Sequence, residues 1–160
     1  MPISIGDKLP STSFMTMGAN GPEPVESESY FAGRRIALFS VPGAFTPTCS
    51  ARHLPGFVDK ADALKAKGVD EIACTAVNDA FVMGAWSKSA GADGKVTMLA
   101  DGNAAFVTAL GLETDMTRFN FGVRGQRFSM VVQDGVVEQL HVEAPGDFKL
   151  SSADYMIDRL

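Results

Sequence analysis

Short apolar runs bounded by turn-forming residues alternate along this chain with apolar positions three and four apart. Three of the runs, "RRIALFSV" (34–41), "EIACTAV" (71–77) and "KVTMLA" (95–100), have the pattern of strands buried on both faces. Between the first two, Leu54, Phe57, Val58, Ala61 and Leu64 follow helical spacing up to Gly68, a C-terminal stop. Asn78 is placed to cap a second helix carrying Phe81, Val82, Ala85 and Trp86. Asn103 is placed to cap a third, with Phe106, Val107 and Leu110 ahead of Gly111. Strand, helix, strand, helix, strand implies a parallel core with right-handed crossovers.

Both ends of the chain depart from that pattern. In "TSFMTMGANGPEPVES", Gly18 to Pro22 interrupts two extended runs and predicts a hairpin with a loop. In "RFSMVVQDGVVEQLHVE", Asp134 and Gly135 separate two strand-like runs, a second hairpin signal that adds an antiparallel pair to the sheet. The closing "SSADYMIDRL" predicts a helix capped by Ser151 or Ser152, with Asp154 in the first turn, where negative charge suits the helix dipole. The fold class is therefore α/β: a thioredoxin-like sandwich with a central mixed sheet, flanking helices and an extra N-terminal hairpin. No repeat or long linker divides the chain, so residues 1–160 are expected to form a single domain.

Composition narrows the function classes. A chain of 160 residues can bury roughly two-thirds of its unfolded surface without a disulfide scaffold. Two cysteines, Cys49 and Cys74, are too few for a bridge-stapled secreted fold and suit a reducing compartment. The opening "MPISIGDKLP" lacks the basic and apolar regions of a secretory signal, and no stretch approaches the roughly 18 apolar residues of a membrane span. A cytoplasmic protein without membrane association is expected. A net charge of −5 with no lysine or arginine cluster argues against a nucleic-acid partner, whose binding depends on neutralised phosphates.

Cys49 lies in "VPGAFTPTCS", after the loop that leaves the first buried strand and in the opening turn of the next helix. First-turn amides have no intrahelical acceptor and the dipole there is positive, so a thiolate is favoured over a thiol. Pro42 ends the strand by forcing Val41 into extended geometry, and Pro47 suits a helix start. Thr46, three residues before the cysteine, can cap that helix and reach the sulfur.

The string P-x-x-x-T-x-x-C formed by Pro42, Thr46 and Cys49 resembles the peroxidatic-cysteine signature of the peroxiredoxins. "PGAFTPTCSARHLPGF" is similar to the type II, or five-like, subfamily, as are "GDKLP", "IACTAVND" and "GVRGQRFSMVVQDG", so the resemblance covers nearly the whole chain. It implies a thioredoxin-like fold and a thiol-dependent peroxidase acting on hydrogen peroxide and small alkyl hydroperoxides. By the same resemblance Cys49 is the nucleophile that becomes a sulfenic acid, Thr46 orients the peroxide, and Pro42 shields the sulfur from water. Arg127, at the head of "RFSM", completes the site, and Phe121 matches a pocket residue over the cysteine, although as a bare sequence feature it is equally a core residue. Arg124 is expected to be a solvated loop charge. The resemblance implies no metal, haem, flavin or other cofactor, and a homodimer with its face near the active-site loop.

The remaining cysteine and the histidines bear on alternatives. Cys74, mid-strand, is read as a buried inert residue. The subfamily's C-terminal resolving cysteine is missing from "GDFKLSSADYMIDRL", so an external thiol, glutathione with glutaredoxin or thioredoxin, is expected to re-reduce Cys49. His53, one helical turn after Cys49, raises a Cys-His hydrolase. Its side chain is expected to point away from the N-terminal pocket and fill, partly buried, the kink made by Pro55. His141 is expected on the solvent face of a strand. These scattered groups lack zinc-site spacing. A non-catalytic thioredoxin-like redox-sensing or holdase module is the alternative from a different class.

Overall fold

The computed structural model describes residues 2–160. An N-terminal hairpin joins β1 (Ser13–Gly18) to β2 (Gly21–Glu26). Gly18 pairs with Gly21, so the connection is only Ala19 and Asn20, tighter than the loop expected from the sequence. Pro22 and Pro24 lie inside β2, which is tolerated because β2 is an edge strand with donors to spare. Helix α1 (Ser27–Phe31) follows and leads into β3 (Arg35–Ser40).

The core is parallel, as the spacing of buried runs requires: β3 pairs in parallel with β4 (Glu71–Ala76), and β4 with β5 (Thr97–Ala100). Small strands β6 (Glu113–Asp115) and β7 (Val123–Gly125) pair apart from the main sheet. Strands β8 (Phe128–Gln133) and β9 (Val136–Val142) form the second hairpin, with β8 antiparallel to β3. Asp134 and Gly135 both have positive φ, 49° and 76°, as a two-residue primed turn demands. The full order is β2-β1-β5-β4-β3-β8-β9, a mixed sheet.

Alternation along β3 divides the core in two. Ala37 and Phe39 face one cluster with α2 (Leu54–Asp59), α3 (Ala61–Ala66), α4 (Ala80–Ser89) and α6 (Ala153–Ile157). Ile36 and Leu38 face the other, with Phe14, Phe31 and the apolar side of α5 (Ala105–Leu110). Both faces of β3 and β4 are covered, which explains their unbroken apolar runs. This is a thioredoxin-like α/β sandwich.

Helix boundaries supply three corrections. Asn78 does not cap α4; the Asp79 carboxylate does, accepting from the Val82 amide at 2.9 Å. Asn103 does not cap α5: Ala104 occupies that place with φ 57°, and the Asp101 carboxylate accepts from Phe106 and Val107 at 3.0 and 3.1 Å. The helix after Cys49 is not continuous to Gly68. Cys49–His53 is a π-helical segment, and α2 and α3 meet at Lys60. Pro55 has no amide to offer the preceding turn, and the chain widens there, the Leu54 amide reaching the Cys49 carbonyl five residues back. At the far end, Ser152 caps α6.

Candidate active site

The helix carrying Cys49 starts at Pro47, whose missing donor costs nothing at that position. Cys49 is thus in the opening turn, with its residue fully buried. Arg127 stands just before β8, whose residues alternate between the two clusters. Val131 faces the cluster that holds Cys49, and Arg127, four residues earlier, shares that side. Its Nη2 donates to the Cys49 sulfur at 3.0 Å. A guanidinium is a permanent charge with several donors in one plane, so it favours an anionic sulfur and fixes its direction.

The second nitrogen of Arg127 is also engaged. Nη1 lies 2.9 Å from Nδ1 of His53. This overturns the expected placement of His53 away from the pocket in a half-open bend: the residue is fully buried and turned toward Arg127. The π-helical widening carries its ring round relative to an α-helical position, a rotation that spacing alone does not reveal. His53 Nε2 lies 2.9 Å from the Ser151 carbonyl. Burial, and then the charge of Arg127, push its pKa from 6.5 down to about 3, while the bond to Ser151 opposes this, so the ring is neutral near pH 7. Its free lone pair faces Arg127 rather than the sulfur, which removes the geometry a Cys-His hydrolase needs.

The loop from Pro42 to Thr46 forms the other wall. Thr46 does not cap the helix with its side chain; its hydroxyl donates to the Gly43 carbonyl at 2.7 Å, and its carbonyl accepts the Ser50 amide. Phe45 has a left-handed φ of 64° and is 54% exposed, an unusual conformation for a large side chain and one that concentrates at functional sites. Three residues outside the signature hold this loop and the helical turn that follows it. The Asn78 side chain accepts the Ala44 amide at 3.0 Å, which is why it is unavailable as a helix cap. Trp86 donates its indole proton to Ser50 Oγ at 2.9 Å. Arg124 Nη1 donates to the Pro42 carbonyl at 3.1 Å, so it is a structural tie and not a solvated loop charge. A Cβ on Gly43 would sit 3.0 Å from that nitrogen, so the approach of Arg124 favours glycine there.

Phe121 is 37% exposed, which excludes the core reading, and its ring lies beneath the Arg124 guanidinium at 5.0 Å. Arg124 is what connects it to the Pro42 loop. Cys74 lies in the middle of β4, in register with Phe39 and in the same core cluster as Cys49. Burial pushes its thiol well above the ordinary range, the nearby Cys49 adds to this, and Arg127 opposes it. Both cysteines are free thiols. His141 is half-buried, packed edge-on to Tyr155 at 4.9 Å and bonded to Gln139 at 3.1 Å, and so is not a freely solvated strand side chain. No cluster of histidine, cysteine and carboxylate groups suited to a metal occurs among the described residues.

A thioredoxin-like sheet with a helix-start cysteine facing a guanidinium defines a class, the thiol-redox proteins. Similarity to known proteins narrows it. The Redoxin family model matches residues 4–157. Peroxiredoxin-2E of Arabidopsis thaliana, a chloroplastic protein, is 47% identical over 99% of this chain and 69% of its own length. Peroxiredoxin-2B of the same plant is 44% identical over 99% of both. The crystal structure of reduced Prx3 from Vibrio vulnificus in complex with hydrogen peroxide superposes with a TM-score of 0.95, at 47% identity over 98% of each chain. This chain belongs to the peroxiredoxins, in their type II branch, and is a thiol peroxidase.

Proposed function

We propose that Cys49 is the peroxidatic residue of a peroxidase for hydrogen peroxide and small alkyl hydroperoxides. The single observation that carries this reading is the 3.0 Å bond from Arg127 to the sulfur. The thiolate attacks the near oxygen of R–O–O–H. A sulfur–oxygen bond forms as the O–O bond breaks, and the departing pair leaves on RO⁻, which takes a proton to become water or an alcohol. Negative charge grows on the two oxygens during this step, and a donor already in place beside them costs no reorganisation when the barrier is crossed. Arg127 is that donor. Thr46 gives its proton to Gly43, so its oxygen is left to accept the peroxide hydrogen and aim the O–O bond at sulfur. Pro42 covers the sulfur from the loop side, and Phe121 acts on the substrate entrance through Arg124.

Cys49 sulfenic acid is then attacked by an external thiol, with loss of water and formation of a mixed disulfide, and a second thiol releases Cys49 with the new disulfide. Glutathione with glutaredoxin, or thioredoxin, suits this role. Cys74 is a poor resolver because burial holds it as the un-ionised thiol and only the thiolate attacks. The protein works as one domain, as a homodimer, in the cytoplasm; two free thiols suit a reducing compartment. Among the described residues no helix is long and apolar enough to cross a membrane.

Peroxide consumption with excess reductant tests the assignment, comparing the wild type with Cys49→Ser and Arg127→Ala. The wild type turns over, Cys49→Ser does not, and Arg127→Ala is slowed about 10²–10³-fold, the range for losing one donor at a developing oxyanion. Equal turnover by all three would refute the site.

A further inference from the structure

We propose that His53 is a positioning residue: as its Nε2–H tautomer it offers Nδ1 as a neutral acceptor that locks the Arg127 guanidinium against the Cys49 sulfur. This rests on the assignment of Cys49 and Arg127 above and extends it by one link.

The tautomer follows from the partners. The Ser151 carbonyl can only accept, so the Nε2 atom 2.9 Å away must carry the proton. A neutral ring then has its single lone pair on Nδ1, and that atom lies 2.9 Å from Arg127 Nη1, which can only donate. The imidazole plane is itself fixed. Phe39, Phe148 and Phe57 surround it at ring separations of 4.8, 4.9 and 5.8 Å. Ser151, which sets the tautomer, is anchored in turn: its amide and hydroxyl donate to Glu143 Oε2 at 2.8 and 2.7 Å, alongside the amides of Lys149 and Leu150. A continuous series of bonds therefore runs from Glu143 through Ser151, His53 and Arg127 to the sulfur.

The chemistry explains a neutral acceptor in this place. A carboxylate beside Arg127 would hold it equally well but would cancel much of its field at the sulfur, where charge must be stabilised. An imidazolium would repel the guanidinium and could not accept from it. A buried neutral histidine fixes direction and leaves the positive charge for the reacting atoms.

Three measurements decide the matter. In the wild type, long-range 1H–15N spectra of the histidine rings should show His53 protonated on Nε2 alone at neutral pH; protonation on Nδ1, alone or with Nε2, would overturn the proposal without touching the peroxidase reading. In single-turnover reactions with hydrogen peroxide, His53→Phe, which keeps the ring stacking, should be slowed at least tenfold. His53→Asn, whose amide oxygen can stand near the Nδ1 position, should recover part of that loss. Equal loss in both variants, or none, would count against the acceptor role. Finally, His53→Phe introduced into Arg127→Ala should change the rate by less than twofold, because a residue acting through Arg127 has nothing left to position. Full multiplication of the two losses would show that His53 acts independently. If Arg127→Ala matches the wild type, the failure lies with the site itself. Should His53→Phe not fold, the wild-type tautomer and the rate of His53→Asn still decide for or against the acceptor role.

Discussion

Cys49 and Cys74 belong to one core cluster, and both are fully buried, yet their surroundings differ in every other respect. Cys74 sits in the middle of a parallel strand whose amides and carbonyls are committed to the ladder, so burial, with the nearby Cys49 adding to it, outweighs the pull of Arg127 and keeps its proton on. Cys49 sits where a strand, a strained loop and a widened helix meet, with a guanidinium proton aimed at its sulfur. Burial removes water from both; what separates them is the supply of fixed donors. A dry site is unfavourable to an anion when empty of donors and strongly favourable when donors are built in.

The sharpest way to break this contrast is to exchange the thiols one at a time. Cys49→Ser should abolish peroxide consumption, while Cys74→Ala should leave it within about twofold, since truncating an inert side chain costs packing and not chemistry. Comparable loss in both variants would mean that Cys74 takes part in turnover. Next in size is the donor itself. Arg127→Lys keeps a positive charge but gives up the planar fork that serves sulfur and His53 together, and should still lose on the order of tenfold to a hundredfold in the second-order rate with hydrogen peroxide. Restoration of full rate by lysine would show that charge matters and direction does not.

Much of this arrangement is legible in the residues, and the parts that are not share a cause. The parallel core strands, both hairpins and the place of Cys49 follow from local rules: apolar runs, Asp134-Gly135 at a turn, prolines flanking a helix start. The ties to the Pro42 loop do not. Asn78 has the chemistry of a helix cap and stands one residue before the real one, so nothing in its neighbours tells that its side chain faces Ala44 instead. Arg124 and Pro42 are joined across 82 positions of sequence, a distance over which no periodicity speaks. α-Helical spacing misplaces His53, because Pro55 and the wider π turn redirect the ring. Longer-range side-chain bonding to backbone is set by the tertiary fold, and local patterns carry little trace of it.

Those ties predict a smaller effect than the donor. Arg124→Ala removes the bond to the Pro42 carbonyl and frees the loop wall, without altering any group that touches the sulfur. The peroxide rate should fall about tenfold, through imperfect placement of Thr46 and Pro42 against the attacking atom. The rate of Cys49 alkylation by iodoacetamide, which does not need that wall, should change less. An equal fall in both would place Arg124 in control of the sulfur and not of the loop.

The gentlest probe is acid. An unfolded chain accepts a proton on His53 below about pH 6.5, whereas the folded protein refuses it until about pH 3. Between these values the unfolded state binds more protons, so stability is complete above the upper value and falls as pH drops, by at most about 1.4 kcal/mol per unit for this one group. His141, also lowered, first by burial and then by Arg159, adds in the same direction. Glu143 acts further down. Burial pushes Glu143 up, but hydrogen bonds from Ser151, Lys149 and Leu150 outweigh it and hold the group below its ordinary range, so its protonation also destabilises the fold. Asp101, raised by burial against its helix-capping bonds, works the opposite way. From pH 7 to pH 5 the histidines should govern the urea midpoint of the wild type, which declines, while His53→Phe follows a flatter course over the same interval. Parallel slopes in the two proteins would mean that His53 takes up its proton in the folded state as readily as in the unfolded chain, and the dry, donor-filled half of the comparison would lose its neutral ring.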